Sequence, residues 1–231
     1  MKNSQPLISV IMSAFNSEKS IGNALESIIN QDYKNFEFLV LDDFSTDNTY
    51  EIIQEYSKTD NRVRIYKNEK NIGLTKSLNI LIKNSKGDYI ARQDADDVSL
   101  KNRLDIQIER IIKKQLDFVI SRAIIKDTNK TIPGLSYFIP NKLAMKYKNP
   151  FIHGTLLINT NVIKSLGLYD ENFFYSQDYK LFSDLMKSDY KYEFMKEKLY
   201  ILNMENNISQ LNKVEQEYYA NCVRKNKTPK K

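Results

Sequence analysis

Residues 7–29, LISVIMSAFNSEKSIGNALESII, decide the fold. Residues 7–13 form an unbroken apolar run of strand length, the pattern of a strand covered on both faces, and the run stops at Ala14-Phe15-Asn16. Ile21, Ala24, Leu25, Ile28 and Ile29 then recur at helical spacing, with Ser17 expected as the N-cap. The unit repeats. Residues 36–41 read as a second strand, followed by the polar turn Asp42-Asp43-Phe44-Ser45-Thr46-Asp47 and a helix marked by Ile52, Ile53 and Tyr56. Residues 62–66 make a third strand, with Leu74, Leu78, Leu81 and Ile82 on a third helix. A fourth strand, 89–91, ends in Arg92-Gln93-Asp94-Ala95-Asp96-Asp97.

Strands alternating with helices in this way predict an α/β fold, with a mostly parallel sheet and helices on both faces, because right-handed crossovers place them there. In such sheets ligands sit beyond the carboxyl ends of the strands. Asn16, Asp42, Asp43, Asp94 and Asp96 are therefore expected on one rim although they are far apart in the chain. The second half is less regular. An amphipathic helix is expected through Leu104, Ile108, Ile111 and Ile112, strands at 118–125 and 154–158, and a hairpin turn at 127–130. Short helices are expected at 143–147 and 178–186, the second with Leu181, Leu185 and Met186 inside. Leu211, Val214, Tyr218, Tyr219 and Cys222 are expected to share the inner face of a final helix, which makes Cys222 a core thiol.

Composition removes whole classes of function. One histidine, His153, and one cysteine, Cys222, leave neither a disulfide framework nor a Cys/His zinc site, so any metal must be held by oxygen. The six glycines are too dispersed for a dinucleotide or P-loop signature. No run approaches the ~18 apolar residues of a spanning helix, and the polar start lacks the pattern of a signal peptide. The net charge of +6 resides almost wholly in residues 222–231, which hold five basic residues and no acid; the rest has 30 basic against 29 acidic residues. Only seven of the 35 basic residues are arginine, so no nucleic-acid partner is expected. The tail reads as a solvated end or as a weak peripheral contact with an anionic membrane.

Asp94-Ala95-Asp96-Asp97 is the chemical centre of the sequence. Three carboxylates in four residues repel one another, a cost tolerated when a hard divalent cation or hydrogen bonds neutralise them. Mg²⁺ or Mn²⁺ suits one or two carboxylates plus phosphate oxygens, which makes a nucleotide diphosphate the natural third party. The plainer alternative is a solvated turn in which Asp97 or Ser99 caps the next helix.

PLISVIMSAFNSEKSIGNALESIINQDYKNFEFLVLDDFSTDNT, then NEKNIGLTKSLN, then KGDYIARQDADD, resembles in order and spacing the family 2 glycosyltransferases of the GT-A fold. The likeness is close over residues 6–110 and looser over 150–190. It implies an inverting transfer of one sugar from a nucleotide diphosphate sugar, with Mn²⁺ or Mg²⁺ under the diphosphate. Matched to the family pattern, Ser13, Phe15 and Asn16 border the nucleotide site, with Phe15 where tyrosine is common. Asp43 would accept from the base's imide N–H, favouring a UDP-sugar, while Asp42 would satisfy backbone donors. Lys76 stands where arginine is usual and would meet phosphate, or else it is a solvated helix lysine. Asp94 would face ribose or metal, and Asp96 would ligate the metal. Asp178 in Ser176-Gln177-Asp178-Tyr179 would be the general base, with helix capping as its alternative role; Gln177 replaces the first acid of the usual pair. His153 would line the cleft or be purely structural.

Three rival readings share parts of this pattern: a sugar nucleotidyltransferase, a glycosidase, and a nucleotide-sugar-binding module of the same fold without turnover. The first normally opens with a glycine-rich basic loop, which residues 13–18 are not. The second needs two carboxylates but no nucleotide site. Gln177 argues for the third. The absence of tryptophan removes the Q-x-x-R-W signature of processive members. The expected organisation is one domain, 1–221, with a nucleotide-sugar half at 6–110 and an acceptor-side half at 111–221, then the tail 222–231. The acceptor would be a glycan or a lipid-linked oligosaccharide of a bacterial surface glycan. The expected location is the cytoplasm, peripheral on the inner face of the membrane if the tail engages it.

Overall fold

The structure, a computed structural model, describes residues 5–204 and 212–230. Its first half follows the alternation in the sequence: β1 (Ile8–Ala14), α1 (Ile21–Ile29), β2 (Phe36–Asp42), α2 (Thr49–Thr59), β3 (Val63–Lys67), α3 (Leu74–Asn84) and β4 (Tyr89–Arg92). β5 (Val98–Ser99) and α4 (Arg103–Lys114) come next, then β6 (Phe118–Ile125), β7 (Thr131–Ile132), α5 (Asn141–Ala144) and β8 (Leu157–Asn159). α6 (Thr160–Ser165), α7 (Gln177–Lys187), β9 (Tyr192–Leu202) and α8 (Lys213–Arg224) complete the chain. All nine strands join one sheet in the order β3-β2-β1-β4-β8-β6-β9-β5, with β7 on β6. β3, β2, β1 and β4 are mutually parallel, β8 runs antiparallel to both β4 and β6, and β9 returns parallel to β6.

Strand alternation divides the core. Ile8, Val10 and Met12 of β1 meet Ile21, Leu25 and Ile28 of α1 and Ile108 and Ile111 of α4 on one face. Ile11, Leu39 and Leu41 meet Leu78, Leu81 and Ile82 of α3 and Leu181, Phe182 and Leu185 of α7 on the other. Each such side chain, removed from water, contributes roughly 1.5–3 kcal/mol, which offsets the ordering of the strands. Because the first four strands are parallel, their carboxyl ends open on one rim.

Several local expectations need correction. α1 begins at Ile21 behind Ser20, not at Ser17: the Ser17 carbonyl accepts from Ser20 N and Ile21 N in a preceding turn, and Ser17 N donates to Thr49 Oγ1 at 2.7 Å. The strand expected at 154–158 is displaced to Leu157–Asn159. Thr155 Oγ1, which donates to Ile152 O at 2.8 Å, closes a 3₁₀ turn over His153–Thr155. The helix expected at 143–147 is centred earlier, on Asn141–Ala144. Ile112 is exposed and Met186 half-buried, so the inner faces of α4 and α7 are narrower than the apolar spacing implies. On α8, Cys222 and Val223 are buried whereas Val214 and Tyr218 are exposed; Leu211 lies outside the described residues.

Candidate active site

The loops after β1 and β2 are tied together at the rim. Asn16 Oδ1 accepts from Thr46 N at 2.9 Å, and Asn16 N donates to Ser45 Oγ at 3.0 Å. Ser13 lies half-buried inside β1, and Phe15 is exposed just beyond it. A second exposed aromatic, Phe44, stands on the neighbouring loop with φ 68°, a left-handed conformation that costs a bulky residue energy and is typical of functional loops. Asp42 is fully buried and accepts from Ser45 N at 3.3 Å. Asp43, also buried, holds the start of α3. Its Oδ1 accepts from Asn68 Nδ2 at 2.7 Å and Ile72 N at 3.0 Å, and its Oδ2 from Gly73 N at 2.8 Å. Among the described residues Oδ2 takes no second hydrogen bond, although a carboxylate oxygen can accept two. Lys76 is exposed on the first turn of α3 and has no hydrogen bond or ion pair with the described residues.

Beyond β4 the acidic turn is framed by buried polar groups. Gln93 and Arg103 are fully buried; Ser99 Oγ donates to Gln93 Oε1 at 2.6 Å, and Arg103 Nη2 donates to the Arg92 carbonyl at 2.8 Å. Arg92 is itself buried and gives Nη2 to Asp94 Oδ1 at 2.5 Å, while its Nε and Nη1 have no hydrogen-bond partner among the described residues. Asp94 N donates to Tyr200 Oη at 3.0 Å, and Asp97 Oδ1 accepts from Asn203 N at 2.7 Å. The backbone of Gly154 closes over this turn: a Cβ there would fall on the Tyr200 ring and 2.8 Å from Asp94 Oδ2.

The carboxylates feel one another. Loss of hydration, then the charge of Asp94, pushes the Asp96 carboxyl up to about 6, although its tip opens to solvent from the crowded turn. Burial first, then the charges of Asp94 and Asp96, pushes Asp97 up to about 9. Among the described residues no three Asp, Glu, His or Cys side chains converge on a common point, so the protein offers a cation at most the Asp96 and Asp94 carboxylates. That donor set still fits a hard cation: Asp96 is accessible and destabilised by its like-charged neighbours, and Mg²⁺ or Mn²⁺ needs only one or two carboxylates when phosphate and water complete its shell.

The remaining candidate residues come from the second half. Asp178 lies in the first turn of α7, and the N-cap position belongs to Ser176, whose hydroxyl is turned to the Gln216 carbonyl at 3.1 Å. Asp178 is therefore not the N-cap residue itself, although its carboxylate accepts from the backbone N–H of Tyr179 in the first turn. Its Oδ2 accepts from Asn149 Nδ2 at 2.7 Å, and burial raises its pKa, with the charge of Asp94 adding to the rise. Gln177 is half-buried beside it. His153 Nε2 is 2.6 Å from Tyr169 Oη. Burial, then the charge of Arg92, holds its pKa well below the ordinary range, so the imidazole is neutral.

The fold thus keeps Asp94, Asp96 and Asp97 within one another's field on a single turn, sets the backbone of Gly154 against Asp94, and places Asp178 within the field of Asp94. Asp43 is committed largely to α3. Arg92, Tyr200, Asn149 and Phe44 are unforeseen members. Arg92 has a sequence signal, since a charged residue ends an otherwise apolar inner strand; Asn149 has none.

The profile of glycosyl transferase family 2 matches residues 9–183. An uncharacterized glycosyltransferase of Methanocaldococcus jannaschii is 34% identical over 222 residues, covering 90% of this chain and 76% of that protein. A UDP-Glc:alpha-D-GlcNAc-diphosphoundecaprenol beta-1,3-glucosyltransferase of Escherichia coli, WfgD, is 29% identical over 185 residues, covering 79% of this chain and 71% of that protein. Two other bacterial relatives extend further, the chain spanning 61% of each. Among solved structures, a mannosyltransferase of Pyrobaculum calidifontis in complex with GDP-Man and Mn²⁺ superposes with a TM-score of 0.79 at 17% identity, over 98% of this chain and 67% of that one. With three quarters of its length inside the family profile, a curated relative at 34% identity, and the same arrangement of strands and helices as a solved mannosyltransferase, this chain belongs to glycosyl transferase family 2.

Proposed function

We propose that this protein is an inverting glycosyltransferase that moves one sugar from a nucleotide diphosphate sugar, a UDP-sugar in our reading, to a hydroxyl of a glycan or lipid-linked acceptor. The observation that carries this reading is the carboxylate turn 94–97 at the carboxyl end of β4, with the half-buried Asp178 carboxyl, held by Asn149, within the field of Asp94. Phe15 and Phe44 offer exposed rings for the base, and Asp43 Oδ2 would take its imide N–H as a second hydrogen bond. Asp96, with Asp94 beside it, would hold Mn²⁺ or Mg²⁺. The cation would offset charge on the departing diphosphate. Arg92 steadies Asp94 through their ion pair, and burial, with the charge of Arg92 added, keeps His153 neutral, so His153, backed by Tyr169, would present an uncharged, hydrogen-bonding side chain to the sugar.

In this mechanism the acceptor oxygen attacks the anomeric carbon from the side opposite the diphosphate. The bond from carbon to diphosphate oxygen breaks as the new glycosidic bond forms, and Asp178 takes the acceptor's proton. Asn149 orients that carboxylate through Oδ2, helped by the backbone N–H of Tyr179. One precedent for the acceptor is the diphosphoundecaprenol-linked sugar named for WfgD, and one for a metal is the Mn²⁺ complex of the Pyrobaculum protein. Titration calorimetry with UDP, GDP and CDP in Mn²⁺, followed by hydrolysis assays with a panel of nucleotide sugars, tests the reading. UDP binds tightest if Asp43 reads the base; equal affinity for all three removes that assignment, and absence of both binding and hydrolysis removes the function.

A further inference from the structure

Five of the eleven large apolar side chains exposed among the described residues fall within thirteen positions: Leu135, Phe138, Ile139, Leu143 and Tyr147. Leu135 is 88%, Phe138 76% and Tyr147 70% exposed, far more than stray surface apolar residues need be. They sit on the 3₁₀ helix Leu135–Phe138, on α5 and on the turns beyond it. The stretch is also basic: residues 126–150 contain five lysines against one acid, Asp127. Arg224 Nη1 donates to the Tyr147 carbonyl at 3.0 Å, which brings the start of the basic tail to the same patch. Segments 126–150 and 222–231 together hold ten of the 35 basic residues and one of the 29 acids. The remainder, 25 basic against 28 acidic residues, is slightly negative. The stretch 135–147 is therefore at once apolar and flanked by exposed lysines, Lys142, Lys146 and Lys148, with Arg224, itself paired with Glu217, at its edge.

We propose that this face docks on an anionic phospholipid bilayer, with the 135–147 side chains entering the interface and the flanking lysines and tail meeting the head groups. A protein partner would call for a charge-depleted centre, and a nucleic acid for arginine-rich contacts without exposed Leu and Phe. Apolar tips ringed by lysine match an anionic membrane surface. The geometry also gives the contact a purpose. Tyr179 Oη donates to the Met145 carbonyl at 2.5 Å, and Asn149, two residues past Tyr147, holds Asp178. The docking face thus continues into the side of the cleft where a hydroxyl would be deprotonated, so an acceptor carried on a lipid meets Asp178 without leaving the membrane. That last clause rests on the transferase reading; the bilayer contact stands on the patch alone.

Co-sedimentation of the whole chain with phosphatidylcholine vesicles, with and without phosphatidylglycerol, tests the proposal. The protein is expected to bind the mixed vesicles, to ignore phosphatidylcholine alone, and to be released by high salt. Leu135→Ser combined with Phe138→Ser should weaken binding about tenfold or more, and Lys142→Gln with Lys146→Gln and Lys148→Gln similarly. Both variants should keep the wild-type Tm and UDP affinity, since none of these side chains is buried. Failure to bind anionic vesicles overturns the proposal, as does binding that the double variant leaves intact, which would assign it to the tail alone. A wild-type dimer that the double variant dissolves, with no vesicle binding, would give the face to a second copy and overturn it too. UDP calorimetry on the same samples reads the active site separately.

Discussion

At the scale of single residues, Asp178 and Asp97 are both carboxyls with raised pKa, and they are expected to behave differently. Asp178→Asn should bind donor as wild type does yet lose about 10²- to 10⁴-fold in kcat, the usual contribution of a positioned base. Gln177→Glu should remain active, because only Asp178 is held by Asn149. Wild-type kcat in Asp178→Asn, with both substrates saturating, would send the search to another carboxylate. The base must be ionised to act, and burial raises its pKa, so the acid limb of the kcat profile should lie above the ~3.9 of a free aspartate. Asp97 gives a stability prediction. Its folded-state pKa is raised to about 9, so between ~4 and about 9 the unfolded chain loses a proton that the folded one keeps, and stability falls as pH rises through that window. Asp97→Asn removes this slope. In EDTA, its Tm relative to wild type should improve steadily from pH 5 to pH 8, and parallel curves would refute the assignment. The positions of Asp94, Asp96 and Asp178 at element ends are legible in the sequence because each follows or opens a periodic segment. The burial of Arg92 and the hold of Asn149 on Asp178 are not, because both depend on which distant strands become neighbours.

At the scale of elements, Gly73 is the hinge between the nucleotide rim and α3. It adopts φ +86°, its N–H donates to Asp43, and a Cβ would lie 2.5 Å from the Phe174 ring. Gly73→Ala must therefore strain the backbone and displace Phe174, at about 1–3 kcal/mol, read as several degrees of Tm. It should also weaken nucleotide binding, because Asp43 would lose a partner; an unchanged Tm would show that the loop adapts freely. The parallel strands and their helices are readable because each short, mostly apolar run, interrupted by charge only at Glu37 in β2 and Arg64 in β3, leads into a 3.6-residue period. β9, the longest strand, escapes that reading. Tyr192–Leu202 interleaves Glu193, Lys196, Glu197 and Lys198 with apolar residues, and its pairing with β6 shifts register between Ser121 and Ile124, so neither alternation nor a continuous run survives. β5 is two residues long and exists only because β9 is there to pair with it.

For the whole molecule, no helix among the described residues is long and apolar enough to cross a membrane. Charge segregation on the tail is visible in composition, whereas the apolar face at 135–147 is not, because an exposed leucine and a core leucine look alike in sequence. The sheet holds a further consequence. The turn 94–97 hangs between β4 and β5, and both strands take partners from the second half: β4 pairs with β8, and β5 with β9. Asp94 N ends on Tyr200 of β9, and Asn203 N just past β9 ends on Asp97. The acidic turn is therefore sewn to the late part of the chain, not only to the β1–β4 layer that precedes it, and it should open when that late part opens. Native-state hydrogen exchange reads this directly: the amides of Asp94 and Asn203 should exchange in one cooperative unit with β9, with the same opening free energy and denaturant dependence, ahead of the amides of β1. The two halves, distinct in pattern and in expected task, would then share their reaction centre as a single unfolding unit, and a destabilising change as remote as Leu199→Ala would loosen the carboxylates before it disturbed the first strand.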